Sequence, residues 1–236
     1  MKILALDSSG LVASVALVEE DRLIAEYTLQ YKKTHSQTLL PMLDEIRKMT
    51  ELDLASVDAI AIAAGPGSFT GLRIGAATVK GLGSALNKPI VPVSTLAAMA
   101  YQIYATDYYI CPIMDARRNQ VYTAVYRWKD GELVAELADD AMPIEDIARR
   151  VGALEKKVVF LGDGVPVHEE FLKEKLGVKA LFSPAFANRQ RAAALATLGG
   201  EYFSKGKSVT AAEFAPIYLR MSQAERERKE KEMSEN

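Results

Sequence analysis

Short apolar runs and amphipathic segments alternate along the chain, and this alternation predicts an α/β protein. Apolar runs bounded by polar turns are typical of strands, whereas apolar residues at three- and four-residue spacing are typical of helices. In the first half the pattern predicts strands at 2–6, 12–18, 23–29, 58–64 and 90–93, and helices at 36–50, 72–86 and 95–104.

The second half repeats the order of the first. ILALDSSGLVASVALVEEDRLIAE at 3–26 and ICPIMDARRNQVYTAVYRWKDGELVAE at 110–136 both run strand, aspartate, short loop, strand, acidic turn and a strand ending in Ala-Glu. Asp7 and Asp115 occupy equivalent places. An internal duplication explains this match better than a coincidence of two β-hairpins. The pattern then predicts helices at 144–151, 167–176 and 189–203, and a strand at 157–164.

Two β-β-β-α-β-α halves predict a duplicated ribonuclease-H-like fold of the actin, sugar kinase and Hsp70 superfamily, in which a nucleotide lies between the halves. We expect a first half at 1–106, with the last helix packing back onto it, and a second half at 107–221. The remaining segment, 222–236, is almost wholly charged and predicts a disordered tail or a frayed helix.

Net charge, cysteine content and the length of the apolar stretches disfavour several classes of protein. The formal net charge is −2, which disfavours a protein that coats nucleic acid unaided, because affinity for the backbone comes from Lys and Arg. Cys111 is the single cysteine, so neither an internal disulfide nor a cysteine-based zinc site is expected. No apolar stretch approaches the roughly 20 residues needed to cross a bilayer, and we expect a cytoplasmic protein without a membrane partner.

The segment AAGPGSFTGLRIG at 63–75 carries the strongest chemical signal. Glycines permit close backbone approach, and free N–H groups at a helix start attract anions. The spacing matches neither the P-loop nor the dinucleotide-binding fingerprint, and a tight strand-to-helix turn explains the glycines equally well. The residues of this candidate vestigial nucleotide or phosphate site are Asp7, Ser8, Gly65, Gly67, Ser68, Thr70, Gly71 and Arg73.

The scarcity of histidine argues against metal and hydrolase chemistry. His35 and His168 are the two histidines, and neither has a second histidine at metal-ligand spacing. We expect His35 to lie at a helix start and His168 to lie on the surface. Ser68 does not lie in a G-x-S-x-G elbow, so a serine hydrolase is disfavoured. We therefore predict no catalytic residue, no metal ligand and no cofactor.

Two helices of the first half suit a helical subunit interface. Helix 36–50 has more large apolar residues than one buried stripe requires, and helix 72–86 is rich in small residues that let another helix approach closely. The alternative is that both helices cover the sheet of their own half. The excess of apolar surface favours an interface made by Leu39, Met42, Leu43, Ile46, Ile74, Ala77 and Gly81.

Taken together, these motifs resemble one family. ILALDSS, VASVAL, HSQTLLPML, GPGSFTGLRIG, DARRNQVYTAVY and PIYLR follow one another as in the bacterial TsaB (YeaZ) family, from residue 1 to about 220. The resemblance implies a non-catalytic subunit needed to make N6-threonylcarbamoyladenosine beside the anticodon of tRNA. It also implies pairing with the catalytic paralogue TsaD, recruitment of the ATPase TsaE, a homodimer, and contact with tRNA only indirectly.

The same resemblance implies that the metal chemistry of TsaD is missing. TsaD carries an Asn-His-x-x-x-His signature, and here Thr95 and Met99 of VPVSTLAAMA stand in place of the two histidines. Thr and Met do not replace two imidazoles on a catalytic iron or zinc. TsaD also supplies a late carboxylate ligand, whereas the corresponding segment NRQRAAALA at 188–196 has no carboxylate.

Two enzymatic alternatives stay open. The first is a stand-alone ATPase or kinase of the actin-like class that uses Asp7, Asp115 and the Gly65–Gly71 turn. The second is a metallopeptidase, which the missing histidine pair disfavours. ATP turnover by the pure protein distinguishes the first, and a metal assay distinguishes the second.

Overall fold

The fold is taken from a computed structural model that describes residues 1–220. The tail predicted at 222–236 lies outside the described residues. The described chain forms two five-stranded sheets. The strands are β1 (Lys2–Asp7), β2 (Ala13–Glu19), β3 (Arg22–Leu29), β4 (Ala59–Gly65), β5 (Ile90–Ser94), β6 (Tyr109–Asp115), β7 (Gln120–Lys129), β8 (Glu132–Pro143), β9 (Val158–Leu161) and β10 (Ala180–Phe182).

Six α-helices follow or separate the strands of the described chain. They are α1 (His35–Met49), α2 (Phe69–Leu86), α3 (Thr95–Tyr101), α4 (Ile144–Gly152), α5 (Val165–Leu176) and α6 (Ala192–Ser204). Ser68 and Ser94 cap α2 and α3, because each hydroxyl accepts a hydrogen bond from a backbone N–H of the first turn. The cap places the start of α2 at residue 69, three residues before the predicted start.

The same strand order recurs in both sheets. The first sheet has the order β3-β2-β1-β4-β5, with β1 antiparallel to β2 and parallel to β4. The second has the order β8-β7-β6-β9-β10, with β6 antiparallel to β7 and parallel to β9. The predicted duplicated ribonuclease-H-like fold is confirmed. Strand β10 is absent from the prediction because three residues are too few for a periodic pattern.

Helices and sheets stack in layers. Helices α1 and α2 cover the outer face of the first sheet, and α4 and α5 cover the outer face of the second. Helices α3 and α6 lie between the two sheets. Helix α6 follows the second sheet in sequence, yet it packs against β1 and β2 of the first sheet.

Helix α1 directs one apolar stripe at its own sheet. Leu39, Met42, Leu43 and Ile46 recur at three- and four-residue spacing and are at most 4% exposed. The predicted interface is wrong for these four residues, because they form the core contact between α1 and the first sheet. The outer side of α1 instead presents Leu40, which is 52% exposed.

Helix α2 divides its small residues between two sides. Gly75 and Ala76 face the sheet and are buried. Ala77 and Gly81 are exposed, Ile74 is half-buried, and a β-carbon placed on Gly81 meets no atom within 4 Å. We call Ile74, Ala77 and Gly81 the outer α2 face. The methyl group of Ala77 and the lack of a side chain at Gly81 leave the helix backbone open to close approach at these two positions.

The segment 205–220, which we call the C-terminal segment, connects the two halves. The Ile217 N–H donates to the Ala64 carbonyl at the end of β4, at 2.7 Å. The Arg220 guanidinium donates to the Ala116 carbonyl just after β6, also at 2.7 Å. The segment therefore runs from the carboxyl end of the first sheet to that of the second.

Candidate functional site

The turn at 65–71, which we call the Gly-rich turn, and Asp7 lie at one edge of the first sheet. β1 and β4 are parallel neighbours, with Leu6 opposite Ile62. Their carboxyl ends therefore meet, and these ends carry Asp7 and Gly65. Open α/β sheets bind ligands beyond the carboxyl ends of their strands, which makes this edge the candidate site.

The Gly-rich turn is hydrogen-bonded to the turn that follows β1. The Ser68 N–H donates to the Ser9 carbonyl at 2.6 Å. The Ser8 hydroxyl donates to the Gly71 carbonyl at 2.8 Å. Two donors that a phosphate site would present to its ligand, the Ser68 N–H and the Ser8 hydroxyl, are thus satisfied within the chain.

The glycines of the turn are needed for this packing. A β-carbon on Gly67 or Gly71 would overlap the carbonyl oxygen of Ser9 or Ser8, respectively. One on Gly65 would overlap the Ile217 carbonyl of the C-terminal segment. These overlaps give the glycines a structural cause and support the tight-turn alternative. The phosphate-binding hypothesis stays a prediction, with Ser68, Thr70 and Arg73 as its exposed members.

The Asp7 carboxylate stabilises the turn that follows β1. Its side chain is 1% exposed, and its Oδ1 accepts hydrogen bonds from the Ser9 N–H at 2.8 Å and the Ser9 hydroxyl at 2.6 Å. Burial raises the pKa of Asp7 above its usual 3.8, although these two hydrogen bonds and nearby His35 oppose the rise. The carboxylate therefore orients its own turn and carries an electrostatic cost when ionised.

Replacing Asp7 by asparagine should change the pH dependence of stability. The pKa of Asp7 is higher in the folded state than in the unfolded state. The protonated side chain therefore stabilises the native state fully below pH 3.8, and this stabilisation is lost as the pH rises through the folded pKa. The amide oxygen of the introduced asparagine can accept both hydrogen bonds without a charge. Urea unfolding of Asp7→Asn should show a stability gain over wild type that grows as the pH rises above 3.8 and levels off above the folded pKa. A loss of stability that grows with pH would contradict this account.

Asp115 has a different environment from its duplicated counterpart. Its side chain is exposed and accepts a hydrogen bond from the Arg117 N–H at 2.8 Å. The Asp115 N–H donates to the Asp163 carboxylate at 3.1 Å. Burial raises the pKa of Asp163. One aspartate is therefore buried in its turn and the other lies at the surface.

The two positions at which TsaD carries its histidine pair are occupied here by buried core residues. Thr95 and Met99 lie on α3 between the two sheets, and both are buried. A β-carbon on Gly162 would press against the Met99 methyl group, so Met99 fills the space beside β9. Among residues 1–220, no three His, Cys, Asp or Glu side chains cluster closely enough to hold a metal ion.

The two histidines have separate structural environments. The Nε2 of His35 lies 2.8 Å from the Gly10 carbonyl, and His35 begins α1 as predicted. The prediction of a surface position for His168 is wrong, because it faces the interior on α5. Burial lowers the pKa of His168.

A cluster beside the start of α2 was missed by sequence reasoning. The rings of Phe69 and Tyr218 lie 4.6 Å apart, and the Arg73 guanidinium lies 4.1 Å from the centre of the Phe69 ring. Tyr218 comes from the C-terminal segment, 149 positions after Phe69 in the sequence. The PIYLR motif contains this tyrosine, but only the fold shows where it packs.

Two surface grooves lie elsewhere on the described chain. Each has a volume of about 460 Å³; one lies beside Met1 and α6, and the other is lined by the ion-paired residues Glu26 and Arg191. Neither groove is lined by a residue of the Gly-rich turn. Within residues 1–220, no helix has the length and apolar character needed to cross a membrane.

Comparison with known proteins adds an independent line of evidence. The family model of TsaD, tRNA N6-adenosine threonylcarbamoyltransferase, matches residues 22–228. The tRNA threonylcarbamoyladenosine biosynthesis protein TsaB of Bacillus subtilis is 35% identical over 225 residues, covering 95% of this chain and 96% of that protein.

Solved structures agree with both fold and family. YeaZ from Pseudomonas aeruginosa superposes with a TM-score of 0.79 at 30% identity, covering 92% of this chain and 99% of that chain. A ROK hexokinase from Thermus thermophilus has a TM-score of 0.50 at 13% identity, covering 87% and 100%, and so shares the fold alone. The near-complete match to the Bacillus relative shows that this chain belongs to the TsaB (YeaZ) family.

Proposed function

We propose that the chain is a non-catalytic subunit needed to make N6-threonylcarbamoyladenosine in tRNA, working in the cytoplasm. The observation that carries the proposal is the burial of Thr95 and Met99 in the core, where catalytic relatives hold a metal with two histidines. Hydroxyl and thioether groups packed between two sheets supply no metal centre for group transfer. The names of the curated relatives support the pathway.

The partner surface of this proposal is the outer α2 face. Ala77 and Gly81 are exposed, and no atom lies within 4 Å of a β-carbon placed on Gly81. A helix of a TsaD-type paralogue, or of a second copy of this chain, can approach such a backbone closely. A TsaE-type ATPase then joins through the complex rather than through this chain alone.

The alternative of a stand-alone ATPase or kinase has less support. The Gly-rich turn packs on Ser8, Ser9 and Ile217, and Asp7 is buried in its own turn. In an ATPase these groups would bind the phosphates and magnesium, whereas here they contact other parts of the chain. We expect no ATP turnover by the purified chain with magnesium.

Reconstitution with and without this chain tests the proposed function. Unmodified tRNA is incubated with the TsaD and TsaE counterparts, threonylcarbamoyl-adenylate and ATP, and the modified nucleoside is quantified. We expect modification only when this chain is present. A full modification rate in its absence would contradict the proposal.

A further inference from the structure

Four arginines lie on the segments at the carboxyl edges of the two sheets, which the C-terminal segment bridges. Arg73 is the fifth residue of α2, Arg117 and Arg118 lie in the loop after β6, and Arg220 lies in the C-terminal segment. We call these four residues the arginine surface. Arg73, Arg117 and Arg118 are exposed, and Arg220 is half-buried.

The loop that carries two of these arginines has an unusual backbone. Arg117, Arg118 and Asn119 have φ angles of 63°, 55° and 58°, in the left-handed region that non-glycine residues avoid. Residues in disfavoured backbone regions cluster at functional sites. Three left-handed residues in succession, two of them arginines, are therefore a candidate functional feature.

Hydrogen bonds hold this loop in its disfavoured conformation. The Arg117 N–H donates to the Asp115 carboxylate at 2.8 Å. The Ile144 N–H donates to the Asn119 carbonyl at 3.2 Å, and the Asn119 side-chain amide donates to the Glu145 carboxylate at 2.6 Å. The loop is thus a fixed platform that presents two guanidinium groups to solvent.

The C-terminal segment joins this platform to the first half. The Arg220 guanidinium donates to the Ala116 carbonyl at 2.7 Å. Two residues earlier, the Tyr218 ring lies 4.6 Å from the Phe69 ring, over which Arg73 is stacked. These contacts link cations from three separate parts of the chain, and the partly exposed Tyr218 ring lies on the segment that joins them.

The charges of the arginine surface are not neutralised within the described residues. None of its four arginines forms a salt bridge in residues 1–220, although arginines elsewhere do, for example Arg47 with Asp44 and Arg149 with Asp146. The nearest carboxylate in sequence, Asp115, accepts the Arg117 backbone N–H. Within residues 1–220 the four guanidinium groups therefore have no ion pair, although the carboxylates of Asp115 and Glu145 lie beside the loop. The net charge of −2 conceals this group of cations.

We infer that the arginine surface binds the phosphodiester backbone of RNA, so that this chain contacts tRNA directly. The choice of tRNA rests on the proposed function. Guanidinium forks bind phosphate oxygens bidentately, and Tyr218 offers a ring on which a base or ribose can stack. The carboxylates of an acidic protein partner could pair with the arginines, but they would not stack on the exposed Tyr218 ring. The inference replaces the expectation that tRNA is contacted only indirectly.

The test measures tRNA affinity with and without the two loop arginines. The complex of this chain with its TsaD-type partner is titrated into labelled, unmodified tRNA, and fluorescence anisotropy is read from 0.05 to 0.3 M KCl. The variant Arg117→Gln/Arg118→Gln is compared with Arg149→Gln/Arg150→Gln, which removes the same charge from α4.

We expect the loop variant to weaken tRNA binding by about 25- to 60-fold at 0.1 M salt and to lower the slope of log affinity against log salt by about 1.4–1.8. The α4 variant should match wild type. Arg117→Lys/Arg118→Lys should keep the salt slope, and thermal melting verifies that each variant is folded.

Several outcomes would overturn the inference. Equal affinities and slopes for the loop and α4 variants would exclude phosphate contacts by the loop. If the loop variant no longer binds the TsaD-type partner, the arginine surface is a protein-docking surface rather than an RNA-binding one. Modification that proceeds without this chain would contradict the proposed function alone, because an arginine-dependent tRNA affinity of the complex would still support the RNA surface.

Discussion

The Leu43→Arg variant is expected to lose its native fold rather than its partner. Leu43 is 4% exposed in the core contact between α1 and the first sheet. Removing a buried leucine costs about 2–5 kcal/mol, and an unpaired buried charge costs more. The sum is comparable with the roughly 5–15 kcal/mol that stabilises a typical protein. Soluble expression and far-ultraviolet circular dichroism measure the outcome.

Leu40→Arg is the matched control on the same helix. Leu40 is 52% exposed, so an arginine there keeps its charge in water and should change the unfolding free energy by less than about 0.5 kcal/mol. A Leu43→Arg protein that melts like wild type but has lost its oligomeric state would restore the interface prediction for α1. Sedimentation distinguishes that case from misfolding.

The Ala77→Arg variant is expected to fold normally and to lose partner binding. Ala77 lies on the outer α2 face and is exposed, so an arginine there meets no core atom in the free chain. In a close helix–helix contact the same side chain would be trapped without a counter-charge. We expect the affinity for the TsaD-type partner to fall by at least about 100-fold, on the order of 3 kcal/mol, and tRNA modification to fall with it.

Val178→Arg provides the control for that loss. Val178 is exposed in the second half, away from α2, and the substitution adds the same side chain to the surface. Size-exclusion chromatography and calorimetry with the partner should show normal binding for Val178→Arg. If Ala77→Arg also binds normally, the outer α2 face is not the partner surface.

The fold could be predicted from the sequence because its signals are local and repeated. The segments 3–26 and 110–136, which contain Asp7 and Asp115, each specify a strand, a short loop and a hairpin, and their similarity predicts two equivalent sheets. Helix caps such as Ser94 are equally local. Only the three-residue strand β10 falls below the length at which a pattern forms.

The packing partners of side chains could not be predicted in the same way. An amphipathic helix such as α1 shows which residues share a face, but the sequence does not distinguish its own sheet from another subunit. The glycines at 65, 67 and 71 reveal close backbone approach, whereas the approaching carbonyls of Ser8 and Ser9 become apparent only in the fold. The position of Tyr218 beside Phe69 likewise depends on the path of the C-terminal segment.

The stoichiometry of activation tests most directly whether this chain is a subunit rather than an enzyme. Increasing amounts of it are added to a fixed, micromolar concentration of the TsaD-type protein with excess TsaE counterpart, and the initial rate of tRNA modification is measured. Our account predicts a rate that rises linearly and levels off at one chain per catalytic subunit. A maximal rate reached with a few chains per hundred catalytic subunits would contradict it.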